Sequence, residues 1–341
     1  MGSNALAEIL AAVTPEQFAS AVTRAADLLR AGEVVALPTE TVYGLAANAL
    51  DALAVSRIYE AKGRPANNPI IVHVADLAMA QSCVAAWPPA AARLAQALWP
   101  GPLTLVLPRS PAIPDIVAAG GPTVAVRWPR HPLMEAVIRK CGFPLAAPSA
   151  NPSGRTSPTT ARHVLQGLGQ RIPLVIDGGP TPVGIESTVV DLSGVTPILL
   201  RPGMIHSAEL EASLGMPIKR LATAATEGTL RSPGLLSKHY APKARLILCG
   251  WRDEGDLDRL VKELVPAGVR CRILAHTAIP SGELASLTRL LSLDPHQFAQ
   301  RIFAELHDCD TDNIGIILVE EIPSGSAWDG IRDRLQRAAH G

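Results

Sequence analysis

The sequence predicts an α/β fold in two unequal units, and three observations carry that prediction. Short apolar runs that read as buried strands alternate with helix-patterned runs through the first 205 residues. The alternation lapses between residues 206 and 243, then restarts from Ala244 in a shorter series. In the first series several strands end in polar or charged side chains: Thr39 and Thr41, His73, Arg127, Ser149, Ser187 and Arg201. Open α/β sheets bind ligands where strand ends meet loops, so this recurrence assigns the site to the first unit. The expected divisions are 15–205 for that unit, 206–243 for a connector, and 244–341 for a small parallel, Rossmann-like α/β unit.

Thr14 is placed to cap a helix over residues 15–30, with Pro15 at its first position and Phe18, Val22, Leu28 and Leu29 on its apolar face. Residues 34–37 read as a buried strand stopped by Pro38. A loop then presents Thr39, Glu40, Thr41 and Tyr43, and Gly44 permits close backbone approach. Asp51 caps a helix to residue 61. It stops at Lys62-Gly63-Arg64-Pro65, where Gly suits the left-handed position past a helix end and Pro cannot continue it. Cations at such a stop often do no more than complement the helix dipole. Here they stand out, because only six of the 31 cations are lysines and only Lys62 and Lys140 precede Lys219. Residues 70–74 form a strand with Ile70, Val72 and Val74 on one face, Ile71 and His73 on the other. A strand histidine is commonly a satisfied structural group; the nearby cations and hydroxyl loop keep a site role open for His73.

Helices are expected over 76–86 and 90–99, strands over 103–107 and 123–127, a helix over 131–141 and a brief strand over 145–147. The run Pro148 to Gly154 is rich in turn signals. Ser157-Pro158 reads as an N-cap and first position of a helix to residue 168. Helix N-termini bind anions, so Ser149, Ser153, Thr156 and Ser157 form a candidate phosphate cradle, an ordinary capped turn being the plainer reading. Strands over 174–176, 187–192 and 198–200 complete the unit. Neither G-x-x-x-x-G-K-[ST] nor G-x-G-x-x-G occurs, so a nucleotide site would have another design.

The connector is bland to Ser232. Residues 232–242 then bring Lys238, His239 and Tyr240 between Pro233-Gly234 and Pro242, which suggests a docking segment. The second unit reads as strands over 245–249, 269–274 and 314–319 alternating with helices over 257–265, 295–307 and 327–338. Its first strand is not followed by a glycine-rich loop, so no separate catalysis is read there.

Hydrophobic residues make up 48% of the chain and aromatic ones only 4%, so the cores are built from Ala, Val, Leu and Ile. Thirty-one cations against 31 anions give no general attraction for nucleic acid or membrane. Five scattered cysteines without a Cys-x-x-Cys pair argue against a zinc site or disulfide framework and fit a cytoplasmic protein. Neither a signal-peptide pattern nor a long apolar run is present, so no membrane association is expected.

PTETVYGL, KGRPANNPIIVHV, APSANPSGRTSPT, GIESTVVDL and LRPG occur in this order. Together they resemble the YrdC family of L-threonylcarbamoyladenylate synthases, in the two-domain form with an extra C-terminal domain. The resemblance spans roughly residues 20–341. It implies a twisted, open, mixed sheet in the first unit. It also implies an activity: L-threonine, bicarbonate and ATP give threonylcarbamoyl-AMP and pyrophosphate, for tRNA modification by a downstream threonylcarbamoyl transferase. By motif match Lys62 and Arg64 stabilise phosphoryl charge, with Mg2+ accompanying ATP. Arg64, Asn68, Thr123, Ser149, Asn151, Ser157 and Arg201 fall on nucleotide-contacting positions. Thr41, His73, Arg127 and Ser187 fall on the threonine pocket, where a guanidinium suits the amino-acid carboxylate. In the two-domain relatives the connector folds back over the nucleotide site, which makes residues 232–242 a candidate lid with His239 or Tyr240 near ATP. Two alternatives stay open. Hydrogenase-maturation carbamoyltransferases carry a similar domain but also Cys-x-x-Cys motifs, which this chain lacks. A non-catalytic RNA-binding module is disfavoured by the charge balance and few aromatics, which leave room for a weak tRNA contact at most.

Overall fold

The computed structural model describes residues 6–220, 239–277 and 279–340. They group into two compact units, the first made of residues 6–153 and 157–220, the second of 154–156 and the described residues from 239 onward.

The first unit opens with β1 (Glu8–Ala11), α1 (Pro15–Arg30), β2 (Val35–Leu37), β3 (Gly44–Asn48), α2 (Ala52–Lys62), β4 (Ile71–His73), α3 (Leu77–Ser82) and α4 (Pro89–Leu98). It continues with β5 (Leu103–Pro108), β6 (Thr123–Arg127), α5 (Pro132–Cys141), β7 (Leu145–Ala146), α6 (Ala161–Leu168), β8 (Leu174–Asp177), β9 (Thr188–Asp191), β10 (Ile198–Arg201), α7 (Ser207–Leu214) and β11 (Lys219–Arg220). The local signals explain the helix ends. Thr14 and Gln17 form a reciprocal capping box on α1, Asp51 accepts from the first amides of α2, and Gly63 ends α2 at φ 60°.

All eleven strands join one mixed sheet in the order β1-β8-β2-β3-β7-β4-β6-β5-β9-β10-β11. Parallel β4 and β6 put His73 opposite Arg127. Antiparallel β5 and parallel β9 follow beyond them. Helices α1 and α5 pack on Val35, Leu37, Leu145, Leu174 and Ile176. Helices α2, α4, α6 and α7 pack on a larger core that includes Val72, Leu105, Val126 and Val190. The alternate residues Ile71, Val106, Ala125, Val189 and Leu200 form a separate apolar patch with no helix residue among its described members. Strand period two puts His73 on the face of Ile71, Thr123 and Arg127 on that of Ala125, Thr104 on that of Val106, and Ser187 on that of Val189. Of the polar residues singled out in the sequence, His73, Thr123, Arg127 and Ser187 therefore share, with Thr104, the face that helices leave bare.

Four expectations need correction. Strand β3 replaces what reads as loop after Tyr43; Gly, Ala and Asn are weak strand formers, and pairing with β2 and β7 overrides that weakness. The helix expected from Ser157 starts at Ala161, because Thr160, not Ser157, caps it by accepting from the His163 amide. Residues 206–220 are not connector but carry α7 and β11, and β11 extends the sheet beside β10. Strand β1, ahead of residue 15, pairs with β8 at the other end. Residues 232–238 of the expected docking segment lie outside the described residues.

The second unit contains β12 (Arg245–Cys249), α8 (Glu254–Leu264), β13 (Cys271–Ala275), α9 (Gly282–Leu287), β14 (Thr288–Leu290), α10 (Pro295–Thr311), β15 (Ile316–Glu320) and α11 (Asp329–Ala339). Its sheet is wholly parallel, in the order β12-β15-β13-β14, as the strand–helix alternation predicts. Helix α9 and strand β14 are short additions that the sequence pattern does not announce.

Gly203 sits where β10 leaves the sheet, and a Cβ there would lie 2.6 Å from the Thr188 amide nitrogen and 2.7 Å from its hydroxyl. Gly203→Ala is expected to cost about 1–3 kcal/mol in a denaturant titration, the range for overpacking a tight site. Gly194→Ala, whose Cβ would meet open space, is expected to stay within about 0.5 kcal/mol of the parent.

Candidate functional site

Lys62 ends α2 and is only 3% exposed. Its ammonium donates to the backbone carbonyls of Ser149 and Asn151, each at 2.5 Å. Those carbonyls come from the turn-rich run after β7, whose Ala150 amide bonds Tyr43 O and whose Ser153 amide bonds Lys62 O. Burial, and secondarily Arg64, hold the Lys62 pKa well below the ordinary lysine value. Two carbonyls can be satisfied by two N–H groups, so one of the three donors of the charged form is left for a ligand.

Arg64 lies one residue past the left-handed Gly63 and folds over the next loop. It donates to Asn68 O at 3.0 Å, Asn68 Oδ1 at 2.8 Å and Pro69 O at 2.6 Å. The Asn68 side chain is fully buried, and its Nδ2 donates to no described residue. Pro69 also borders a cavity of about 390 Å3 on the bare face, lined by Val117, Thr123, Ala125, Asp191 and Ile198 among others. Its size and largely apolar lining suit a flat heterocycle.

Arg127 ends β6 and is 3% exposed. Its guanidinium donates to Thr41 Oγ1 at 3.0 Å and Gly101 O at 3.4 Å, and lies 2.7 Å from Glu40 Oε2. Thr41 Oγ1 in turn meets Thr39 Oγ1 at 2.9 Å, so the hydroxyl loop and β6 are tied by one polar chain. His73, the register neighbour of Arg127, is buried and its Nδ1 has no hydrogen-bond partner among the described residues. Burial first, then the Arg127 charge, pushes the His73 pKa down to about 3. His131 Nδ1 is likewise without a described partner; burial lowers its pKa while Glu40 opposes the shift.

Ser187 precedes β9 and Arg201 ends β10. Arg201 donates to Ser187 O and Ser187 Oγ, both at 3.1 Å, and Ser187 Oγ meets Thr104 Oγ1 at 2.8 Å.

The structure thus brings together Lys62, Ser149 and Asn151; Arg64 and Asn68; Thr41, His73 and Arg127; and Ser187 with Arg201. Thr123 shares the Arg127 strand and lines the cavity. Ser157 does not cap the helix: its hydroxyl, three residues before the cap, donates to Glu186 Oε1. Thr156 belongs to the second unit and donates to Tyr240 O. The Tyr240 ring packs inside that second unit, 5.8 Å from the Phe303 ring and 5.1 Å beneath the Arg334 guanidinium. His239 packs edge-on against Tyr240. Sequence reasoning puts Glu40 in the loop without a role and omits Thr104 and Glu186. The position of Glu40 between Thr39 and Thr41 is the signal that could have found it.

Residues 27–203 match the Sua5/YciO/YrdC family model, described as "Telomere recombination", and residues 205–340 match that of the "Threonylcarbamoyl-AMP synthase, C-terminal domain". The chain is 42% identical to a threonylcarbamoyl-AMP synthase of Bacillus subtilis, over 94% of this chain and 93% of that protein. It is 39% identical to the synthase of Pyrococcus abyssi, over 92% of this chain and 93% of that one. Among solved structures, P. abyssi Sua5 complexed with L-threonine superposes with a TM-score of 0.89 at 37% identity, covering 97% of each chain.

A neutral buried histidine must be charged in acid, so the His73 contribution to stability is full above about pH 6.5 and is lost as pH falls toward about 3. Thermal unfolding midpoints of the parent should therefore drop more steeply between pH 6.5 and 4.5 than those of His73→Gln. Parallel curves would mean that His73 does not titrate as a buried neutral group.

Proposed function

The chain belongs to the threonylcarbamoyl-AMP synthase family, and from that premise we propose how its first unit makes the adenylate. L-Threonine and bicarbonate form a carbamate on the threonine nitrogen. A carboxylate oxygen of that carbamate attacks the α-phosphorus of ATP, the bond from that phosphorus to the bridging oxygen breaks, and pyrophosphate leaves. No protein nucleophile is required; the protein has to position the two substrates and stabilise phosphoryl charge.

The observation that supports this most is the Lys62 clamp. An ammonium held on two carbonyls, with a third donor unspent, is a fixed point charge for a phosphoryl oxygen. Arg64 and the unspent Nδ2 of Asn68 would add donors beside it. The cavity between Pro69 and Thr123 would take the adenine ring. Arg201 and Ser187 would face the chain of phosphates and the carbamate, while Thr41, His73 and Arg127 would hold the amino-acid end. Among the described residues no three of His, Cys, Asp and Glu converge to hold a metal. A Mg2+ accompanying ATP would supply charge that neutralises developing phosphate charge. The product would pass to a transferase acting on tRNA.

Pyrophosphate release is expected to need both L-threonine and bicarbonate. Equal release with carbamoyl phosphate in their place would favour the hydrogenase-type reaction instead. Arg64→Ala should weaken ATP use roughly ten- to a hundredfold, the worth of a charged hydrogen bond, and leave threonine binding nearly intact. Arg127→Lys, which keeps a cation beside Glu40, should do the reverse. Equal losses of both substrates in both variants would contradict a divided site.

A further inference from the structure

Glu40 does more in this geometry than neutralise Arg127. Its carboxylate is buried, with Oε2 2.7 Å from Arg127 Nη2. Its Oε1 accepts no hydrogen bond from any described residue. An unsatisfied buried carboxylate oxygen is costly and is seldom kept without a use. Arg127 has five N–H groups; its described hydrogen bonds engage two, on Thr41 and Gly101, and Nη2 faces Glu40 as an ion pair without a hydrogen bond. Unspent donors and an unspent acceptor therefore sit side by side. His73, which feels the Arg127 charge, and His131, which feels that of Glu40, each keep an Nδ1 without a described partner and are held toward the neutral form by burial. Neither supplies a charge that would compete for a zwitterion.

A free α-amino acid carries a carboxylate and an ammonium on one carbon, which matches this adjacency of guanidinium and carboxylate. We propose that Glu40 holds the α-ammonium of L-threonine while Arg127 takes its carboxylate, and that Glu40 accepts the proton the nitrogen must lose to become a nucleophile. The inference rests on the threonylcarbamoyl-AMP synthase reading. In the step, one N–H bond breaks, its electron pair stays on nitrogen, and the proton moves to Glu40. The nitrogen pair then forms a bond to the carbon of bicarbonate. The bicarbonate hydroxyl leaves and takes a second proton from nitrogen as water. The ammonium, bicarbonate and carboxylate thus become the carbamate anion, water and a neutral Glu40, with charge conserved. Arrival of the substrate carboxylate helps, because two carboxylates beside one guanidinium repel, and protonating one of them relieves that repulsion.

The reverse reaction separates this role from a structural one. Pyrophosphorolysis of threonylcarbamoyl-AMP to ATP uses the same phosphoryl site but requires no proton to leave an ammonium. Its presence in the parent protein tests the family reading by itself, and its absence there would overturn both. Glu40→Gln is expected to lower forward kcat/KM for L-threonine about a hundredfold, the scale of a lost general base, and to keep pyrophosphorolysis within about threefold of the parent. Equal losses in both directions would make Glu40 only the anchor of Arg127, and no loss in either would remove it from the reaction; each outcome overturns the proposal. Should the variant not fold, calorimetry on the parent decides: L-threonine should bind about tenfold or more tighter than 3-hydroxybutyrate, its deaminated analogue. Equal affinities would overturn the ammonium contact.

Discussion

Burial of the Lys62 ammonium is the constraint around which the rest of the first unit is arranged. An ammonium out of water must be hydrogen-bonded or it neutralises. The molecule meets this with two main-chain carbonyls, of Ser149 and Asn151, and so joins the end of α2 to the run after β7. The same run is tied to β3 through Gly44 and Tyr43, and the Tyr43 hydroxyl donates to Gly179 O beyond β8 at 2.7 Å. Withdrawing the ammonium would leave a buried and a part-buried carbonyl without this donor and loosen three neighbouring segments together. Side-chain partners would have been weaker choices here, because a carbonyl set in a hydrogen-bonded turn cannot rotate away.

The bare sheet face follows a similar rule. Arg127 and Arg201 lie where helices do not cover the strands, and each is nearly fully buried. Arg201 is held by a hydroxyl and a carbonyl of Ser187, whereas Arg127 faces a carboxylate. The Arg127 pair is close to neutral and presents both signs. On the proposed reading, the amino-acid end binds at that pair.

Much of this was legible in the chain because period-two alternation reports faces. Ile71 with His73, and Ala125 with Arg127, fall on one side from spacing alone, and the capping residues of α1 and α2 mark their ends directly. What escaped depended on partners distant in sequence. Strand β3 is poor in strand-forming residues and exists because β2 and β7 flank it. Ser157 followed by Pro158 looks like a helix start, yet its hydroxyl is engaged by Glu186 and the true cap is Thr160. Glu40 needed Arg127, 87 positions away, before its carboxylate meant anything. The ring contacts of His239 and Tyr240 with each other and with Phe303 likewise depend on the fold of the second unit.

On the proposed reading the face is prebuilt, with phosphoryl groups at Lys62 and Arg64 and the amino-acid end at Arg127 and Glu40. A crystal structure of the protein with threonylcarbamoyl-AMP bound tests it most directly. The phosphate is expected beside Lys62 and Arg64, the threonyl carboxylate on Arg127, and these side chains within about 1 Å of their present positions, as for a preorganised site. A threonyl group bound elsewhere, or an Arg127 guanidinium drawn away from Glu40 to reach it, would contradict that claim.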